Sequence, residues 1–257
     1  MSPQAQRVLL RRRSLVAAVA ALGICLSLAS FDVTRQDRDR HLQNDFARRA
    51  ENHSALVREI ILNFESALFG LRNLFIGSHQ VTAAEFATAA HEILQRYHGI
   101  TALEWVPIVP HADRAALEAR ISAANGQPFQ FVTGEGRRSP DAAEYFRILY
   151  VEPMAGNERA YGYDLRHGPT TAGLERSRQS SDLTVSHRIR LIQEQDPNQY
   201  SVILIWPVRK GPPGGEGTTG YVQAVIRIAD MLACPLRDRS VEPLDILYLD
   251  RHAPDPA

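Results

Sequence analysis

An uncharged apolar run near the N-terminus, residues 14–31 (SLVAAVAALGICLSLASF), constrains the fold of this chain more than any other feature. Its 18 residues are just enough for a helix that rises about 1.5 Å per residue to cross a hydrocarbon core of about 30 Å. Four arginines precede the run with no acidic residue among them: Arg7, Arg11, Arg12 and Arg13. Because arginines flanking a span stay on the cytoplasmic side, we expect residues 1–13 to be cytoplasmic and residues 14–31 to form a transmembrane helix.

The same run has a second interpretation, as the core of a cleaved signal peptide. Ser27-Leu28-Ala29 resembles a small-x-small cleavage site. The run is long for a signal peptide and continues directly into a helical pattern, which favours a retained anchor. Both interpretations place the following residues outside the cytoplasm. We therefore expect a single-pass protein of the inner (cell) membrane, with its main domain in the periplasm or extracellular space.

Composition excludes several classes of protein. An apolar fraction of 44% and a charged fraction of 23% are close to globular averages, which excludes wholesale disorder and a polytopic membrane protein. Lys plus Arg and Asp plus Glu both number 29, so the chain lacks the cationic excess of a general nucleic-acid binder. The two cysteines, Cys25 and Cys234, cannot form a disulfide framework or a four-ligand zinc site. The nine scattered histidines offer no ligand set, so we expect neither a metal nor another cofactor.

A long amphipathic pattern follows the apolar run. Apolar residues recur every three or four positions: Leu42, Phe46, Ala50, Val57, Ile60, Phe64, Leu68, Leu71 and Phe75. This spacing predicts a stalk helix over residues 32–78. A helix with so narrow a stripe is not stable alone, so it should pack on the following domain, on a partner helix, or on both. A structural helix without a partner chain is the alternative.

The rest of the chain shows short helix and strand patterns. Thr82 and Glu85 form a capping box for a helix over 82–97, and Gly99 can end it. Two more helices are predicted at 112–124 and 170–179. Strands are predicted at 100–109, 129–133, 146–151, 183–192, 200–208, 221–228 and 245–249, with a hairpin loop at 210–220. The pattern predicts an α+β fold with mainly antiparallel strands.

No catalytic constellation is present in the sequence. There is no phosphate-binding loop, no dinucleotide fingerprint and no G-x-S-x-G elbow. His91-Glu92 begins like the phospho-accepting box of sensor kinases, but Gln95-Arg96-Tyr97 replaces the continuation. We therefore expect this chain not to be an enzyme.

Several segments together carry a resemblance to a known family. The shared residues are Glu104, Trp105, Pro107 and Val109 of a strand, Arg114 and Glu118 of the next helix, the run 150–164 (YVEPMAGNERAYGYD), and Ile205, Pro207 and Val208 of a late strand. In these residues the chain resembles the CHASE domain, an extracytoplasmic sensory module of histidine-kinase and cyclase receptors. The resemblance assigns residues 79–240 to the sensory domain and leaves 241–257 as a C-terminal strand and tail.

The resemblance implies a fold, a partner and a ligand site. The stalk helix would lead into PAS-like antiparallel-sheet subdomains and would pair with a second copy to form a homodimer. A small molecule would bind through the side chain of Asp164 and the backbone near Val185. The other implied site residues lie beside these: Ser186, Tyr150 and Tyr163. Departures at 180–182 (SSD) and 187–189 (HRI) argue against the cytokinin bound by plant relatives.

The leading hypothesis is the small-molecule input half of a histidine kinase or of a cyclic-nucleotide or dinucleotide cyclase. One alternative is a non-catalytic envelope module that binds a partner protein and has a degenerate pocket; another is a secreted hydrolase. Two residues also have a plainer interpretation. Asp164 can simply cap the turn before Pro169, and Trp105 can pack in the core.

Overall fold

The computed structural model describes residues 3–194, 196, 199–211 and 217–233. A single helix, α1 (Pro3–Gly77), covers both the predicted transmembrane segment and the predicted stalk. Among the described helices, α1 is the one long and apolar enough to be a candidate membrane span. The chain divides into two compact units, Met1–Ala55 and Leu56–Ala257. In the first unit, Leu42 and Phe46 of α1 are exposed.

The second helix, α2 (Ala83–Arg96), begins where the sequence predicts. The Oγ1 atom of Thr82 accepts a hydrogen bond from the backbone N–H of Glu85 at 3.3 Å. In return, the backbone N–H of Thr82 donates to Oε2 of Glu85 at 2.8 Å. This reciprocal pair confirms the predicted capping box.

The remaining helices are short. They are α3 (His111–Asn125), α4 (Thr171–Ser180), α5 (Ile228–Ala233) and a 3-10 turn at Leu165–His167. Helix α3 ends at Gly126, which has a φ of 65°, and a glycine adopts that left-handed conformation without strain.

Six antiparallel strands form one sheet in the described part of the chain. They are β1 (Ile100–Pro110), β2 (Glu144–Phe146), β3 (Tyr150–Glu152), β4 (Thr184–Val185), β5 (Ser201–Lys210) and β6 (Gly217–Arg227). The strand order is β2-β1-β6-β5-β4, and β3 pairs with β1 on the same edge as β2. The α+β class and the antiparallel sheet are thereby confirmed.

The two faces of the sheet have different cover. The first, the helix face, packs on α2 and on the C-terminal turns of α1. There the ring of Phe75 stacks on that of Trp105, with centroids 3.9 Å apart. The second, the cavity face, lies under α4 and the segments between β2 and β5. Strand alternation sends Leu103 and Trp105 to the helix face, and Ala102 and Val106 to the cavity face.

The predicted strand at 146–151 is instead divided into β2 and β3. The register shows that three residues, 147–149, lie opposite only two residues of β1, Val106 and Pro107. This is a β-bulge. Pro107 of β1 has no N–H to donate to residues 147–149 on the adjacent segment. Within the bulge, the N–H of Ile148 turns away from β1 and donates to the carbonyl of Tyr163 at 3.1 Å.

Of two other predicted strands, one is absent and one is much shorter than predicted. At 129–133, side chains of α3 replace a neighbouring strand: the N–H of Phe131 donates to Oε1 of Glu118 at 2.8 Å. The predicted strand at 183–192 is reduced to β4. Beyond β4, the backbone N–H of Ile203 in β5 donates to the Oγ of Ser186 at 2.9 Å. This side-chain oxygen replaces the backbone carbonyl that a longer β4 would offer to β5. The predicted strand at 245–249 lies outside the described residues.

Candidate functional site

A small cavity lies between the cavity face of the sheet and the segments that cover it. Its volume is about 50 Å³. The lining residues are Glu104, Ile148, Ala160, Tyr163, Leu165, Pro169, Thr170, Ile189, Arg190, Leu191, Ile192, Gln193 and Ile203. Most of the lining residues are aliphatic. Two residues of the lining, Pro169 and Arg190, are exposed to solvent. The cavity is therefore an apolar chamber whose rim reaches the solvent.

Glu104 is the acidic residue of this lining. It is 4% exposed and sits in β1 between two residues of the helix face, so alternation directs it to the cavity face. Its Oε2 atom has no hydrogen-bond partner among the described residues. Burial raises the pKa of Glu104 to about 7, because removal from water disfavours the charged form.

Two neighbouring polar residues are also left unsatisfied. Gln223 of β6 is the register partner of Glu104, and both polar atoms of its buried amide lack a partner in the described part of the chain. Thr170 lines the cavity, and its buried Oγ1 atom also lacks a hydrogen-bond partner among the described residues. Each such group costs about 1–3 kcal/mol when buried without a partner. Convergent polar groups in an apolar chamber are typical of a small-molecule site.

Tyr163 lines both the cavity and a wider surface cleft. The residue is 9% exposed and lines the cavity. Burial raises the pKa of Tyr163, and the nearby charge of Asp164 acts in the same direction. The surface cleft, of about 470 Å³, is lined by Thr133, Gly134, Glu135, Arg137, Pro140 and the same Tyr163. Tyr163 is thus common to the two linings.

Asp164 is held in a buried ion pair beside the cavity lining. Its carboxylate accepts hydrogen bonds from Oγ of Ser139 at 2.5 Å and from Nε of Arg166 at 2.9 Å. It also accepts from the backbone N–H of Arg166 at 3.3 Å and caps the 3-10 turn. Burial acts to raise the pKa of Asp164, but the bonds and charge of Arg166, together with Ser139, lower it further than burial raises it. The geometry gives Asp164 a capping and pairing role.

The predicted ligand residues do not all lie together. Tyr163 lines the cavity, whereas Tyr150 lies on the helix face, where its hydroxyl donates to the carbonyl of Val81 at 3.1 Å. Val185 is 49% exposed, and its carbonyl accepts from Arg176 at 3.0 Å. The hydroxyl of Ser186 is occupied within the sheet edge. As contacts to a ligand, all five residues, including Asp164, remain predictions.

The sequence reasoning missed Glu104, Thr170 and Gln223 as site residues. A recognisable signal existed for two of them. Glu104 is the one charged residue of the predicted strand ITALEWVPIV, and Gln223 is the one non-aromatic polar residue before Arg227 in YVQAVIR. A polar residue within a run that is otherwise buried must find a partner or serve a function. Thr170 gave no such signal.

A second unusual group, Arg147, lies in the bulge near Asp164. It is 1% exposed, and its guanidinium nitrogens have no hydrogen-bond partner within the described ranges. The guanidinium carbon lies 3.8 Å from the centroid of the Phe131 ring, a cation–π arrangement. Burial lowers the pKa of Arg147 to about 9, although the charges of Asp164 and Glu118 oppose that shift. The ring of Phe131 is thus the aromatic face nearest to this buried cation among the described residues.

Comparison with known proteins assigns the chain to a family. The model of the CHASE domain family matches residues 79–257, well over half of the chain. The matched region begins just after α1 and contains the sheet and the cavity. No curated protein matches the sequence. Among the residues that the structure describes, no group of three His, Cys, Asp or Glu side chains could hold a metal ion.

Proposed function

The chain belongs to the CHASE domain family, a family of extracytoplasmic sensory domains of signalling receptors, and on that basis we propose that it is the small-molecule input domain of a membrane-anchored receptor. The apolar part of α1 would be a single span of the inner (cell) membrane. The sensory domain would lie in the periplasm or extracellular space. The output would be a histidine kinase or a nucleotide cyclase, and this chain itself would carry out no reaction.

The observation that carries the proposal is the cavity with its unpaired carboxyl group. A core without a ligand would gain stability from an aliphatic side chain in place of Glu104, because an unpartnered polar group costs free energy. The cavity face instead keeps Glu104 and Gln223 at paired positions of adjacent strands. A ligand that pairs with them would remove this cost. The loop-and-helix cover over an antiparallel sheet supports a PAS-like arrangement of the pocket.

The same strand offers a route from the cavity to the stalk. Glu104 is flanked in β1 by Leu103 and Trp105, and both belong to the cluster formed with α1 on the helix face. Trp105 stacks on Phe75 of α1. A second contact links α1 to β5 of the same sheet, because Nε of Arg72 in α1 donates to the carbonyl of Pro207 in β5 at 2.8 Å. If β1 can adopt two conformations, a ligand with higher affinity for one of them would favour that conformation. Because β1 packs on α1, the same ligand would shift the equilibrium between two positions of α1.

Pairing of two stalks would complete the receptor. Two large apolar side chains of the predicted stripe in the first unit, Leu42 and Phe46, are exposed. A helix with such residues buries them against a partner helix in paired assemblies. These side chains support the proposed homodimer through the stalk.

A ligand screen tests the proposal. We would measure thermal unfolding of the full chain in detergent against a set of small metabolites. A ligand at 100 times its Kd should stabilise the protein by about 2.7 kcal/mol. Ala160 is buried and lines the cavity, so Ala160→Leu should fill the space and abolish the effect.

Two matched substitutions then separate the candidate contacts. Loss of binding in Glu104→Gln assigns the ligand to the cavity, whereas loss in Asp164→Asn assigns it to the residue implied by the family resemblance. Glu92→Gln, at an exposed position of α2, is the control and should bind normally. A screen with no stabilising metabolite, or a ligand that still binds Ala160→Leu at full affinity, would overturn the cavity as the sensing site.

A further inference from the structure

Resting on the proposed sensor function, we propose that the cavity binds the ammonium group of a small aliphatic amine, with Glu104 as its counter-ion. The remaining hydrocarbon of the amine would contact the aliphatic lining and extend toward the rim at Pro169 and Arg190. The geometry, charge and volume of the cavity each support this class of ligand.

The charge distribution favours a cation. Glu104 and Arg190 are the lining residues that carry formal charge, and Arg190 is exposed at the rim. No basic side chain of the described residues forms an ion pair with Glu104. A buried carboxylate without a counter-charge is costly. An ammonium ion supplies that charge, whereas a carboxylate ligand would add a second negative charge to the same chamber.

The hydrogen-bonding groups also match an ammonium ion. An ammonium has three donors and no acceptor. Among the described residues, three acceptors without a partner lie on or beside the cavity, namely Oε2 of Glu104, Oγ1 of Thr170 and Oε1 of Gln223, together with one donor, Nε2 of Gln223. Gln223 lies opposite Glu104 across the β1–β6 pair, where side chains on one face are about 5 Å apart. A charge-assisted bond to Glu104 would be roughly twice as strong as a neutral one.

The volume and the lining limit the size of the ligand. A cavity of about 50 Å³ is a third of the roughly 150 Å³ that holds benzene in an engineered protein. It therefore accommodates a head group and a few carbon atoms rather than an aromatic ring system. The carbon atoms would contact the aliphatic residues of the lining, among them Ile148, Leu165, Ile189 and Ile203.

A set of isosteric probes tests this inference on the full wild-type chain in detergent. The probes are ethanamine, ethanol and ethanoic acid, which share a two-carbon skeleton and differ in the polar group. We expect the amine to raise the Tm and the alcohol and the acid to leave it unchanged at equal concentration. Glu104→Gln should weaken amine binding at least tenfold, while Glu92→Gln should not change it.

The outcomes separate this inference from the proposed function. Equal stabilisation by the alcohol or the acid would overturn the amine assignment and leave the sensing cavity supported. No Tm shift with any of the three probes would also overturn it, and the metabolite screen would then decide the sensor function independently. An amine effect that survives Glu104→Gln but disappears in Ala160→Leu would remove Glu104 as the counter-ion. The wild-type comparison requires no variant to fold.

Discussion

At the scale of single residues, two buried acids on the same side of the sheet are in opposite electrostatic states. Glu104 has no counter-charge among the described residues, and burial raises its pKa to about 7. Asp164 is paired with Arg166 at 2.8 Å, and its pKa is lowered. The neighbours rather than the residue type decide which acid is available to a ligand. Each state has a measurable dependence on pH.

Glu104→Gln should make the protein more stable at alkaline pH. The folded pKa of about 7 lies above the ordinary value of 4.5, so the folded state holds a proton that the unfolded state releases. The contribution of Glu104 is complete below pH 4.5 and is lost as the pH rises through 7. The loss is about 3 kcal/mol, at about 1.4 kcal/mol per pKa unit.

Urea unfolding of the wild type and of Glu104→Gln between about pH 4.5 and pH 8 measures this difference. The gap in unfolding free energy should widen in favour of the variant as the pH rises. Glu92→Gln serves as the reference and should give a curve parallel to the wild type. A gap that is constant with pH would show that Glu104 titrates normally.

Asp164→Asn should destabilise the fold at neutral pH by about 3 kcal/mol, the usual cost of breaking a buried ion pair. Because the pKa of Asp164 is lowered, its contribution is present above the ordinary pKa and is lost as the pH falls through the folded value. The variant and the wild type should therefore converge in strong acid. Chemical denaturation at neutral and acidic pH provides the measurement.

Asp141→Asn is the matched control for that substitution. The side chain of Asp141 is 79% exposed, although it lies 3.1 Å from Arg114. An exposed ion pair contributes about 0–1 kcal/mol. Equal destabilisation by the two substitutions would contradict the structural role assigned to the Asp164–Arg166 pair.

At the scale of elements, local capping and close strand contacts account for the boundaries of α2 and for the centre of the sheet. Helix α2 starts at a reciprocal cap, and β1 and β6 approach closely at a glycine, Gly220. Both features involve few atoms, so single substitutions can test them. Each also has a chemically matched control in the same element.

Thr82→Ala should cost about 1 kcal/mol, the typical value for loss of an N-cap hydroxyl. Thr88 lies within α2, is exposed, and donates only to the carbonyl of Ala84 at 2.9 Å. Thr88→Ala should therefore change stability little, because alanine favours the helix interior. Equilibrium unfolding of both variants gives the comparison, and a larger loss for Thr88→Ala would refute the assigned cap.

Gly220→Ala should be strongly destabilising. A Cβ atom there would lie 2.5 Å from the Trp105 ring and 2.7 Å from the carbonyl oxygen of Val106. The backbone of β1 cannot yield without loss of its pairing with β6, so we expect a cost of about 3 kcal/mol. Gly217, at the start of β6, has no atom within 4 Å of such a Cβ.

Gly217→Ala is therefore the control and should stay within about 0.5 kcal/mol of the wild type. The thermal unfolding midpoints of the two variants can be measured side by side. Wild-type stability in Gly220→Ala would mean that β1 and β6 are farther apart than the structure places them.

At the scale of the whole molecule, α1 belongs to both compact units, and its apolar residues are buried to different extents in the two. From Leu56 onward, four residues of the predicted stripe are buried in the domain core: Phe64, Leu68, Leu71 and Phe75. In the first unit, Leu42 and Phe46 are about as exposed as the residues of the apolar run that the structure describes. The second unit therefore has a core of its own, and the first leaves its stripe for another surface.

This division predicts different oligomeric states for two fragments. A fragment of residues 32–257 should form a homodimer, because it retains the exposed stripe, whereas a fragment of residues 56–257 should be a monomer with the same fold. Light scattering measures the mass, and circular dichroism checks the fold. Phe46→Glu in the longer fragment should shift it toward the monomer by placing a charge in the helix pair.

A monomeric 32–257 fragment at high concentration would contradict stalk pairing through this stripe. A dimeric 56–257 fragment would instead locate the interface within residues 56–257. Phe64→Glu is not a suitable control, since Phe64 is 2% exposed and is part of the core. Glu51→Lys, at an exposed position of the helix, keeps the stripe intact and should leave the dimer unchanged.

The sequence alone determined the features that depend on near neighbours: the apolar run, the stalk helix, the capped helix α2, and the long strands β1, β5 and β6. Periodicity and capping involve residues a few positions apart, so they can be recognised without knowledge of the fold. Only the tertiary structure decided the bulge opposite Pro107, the placement of Tyr150 and Tyr163 on opposite sides of the sheet, and the isolation of Glu104 from any counter-charge of the described residues. These depend on strand pairing and burial between residues that are far apart in the sequence, and no local pattern encodes which distant side chains will meet.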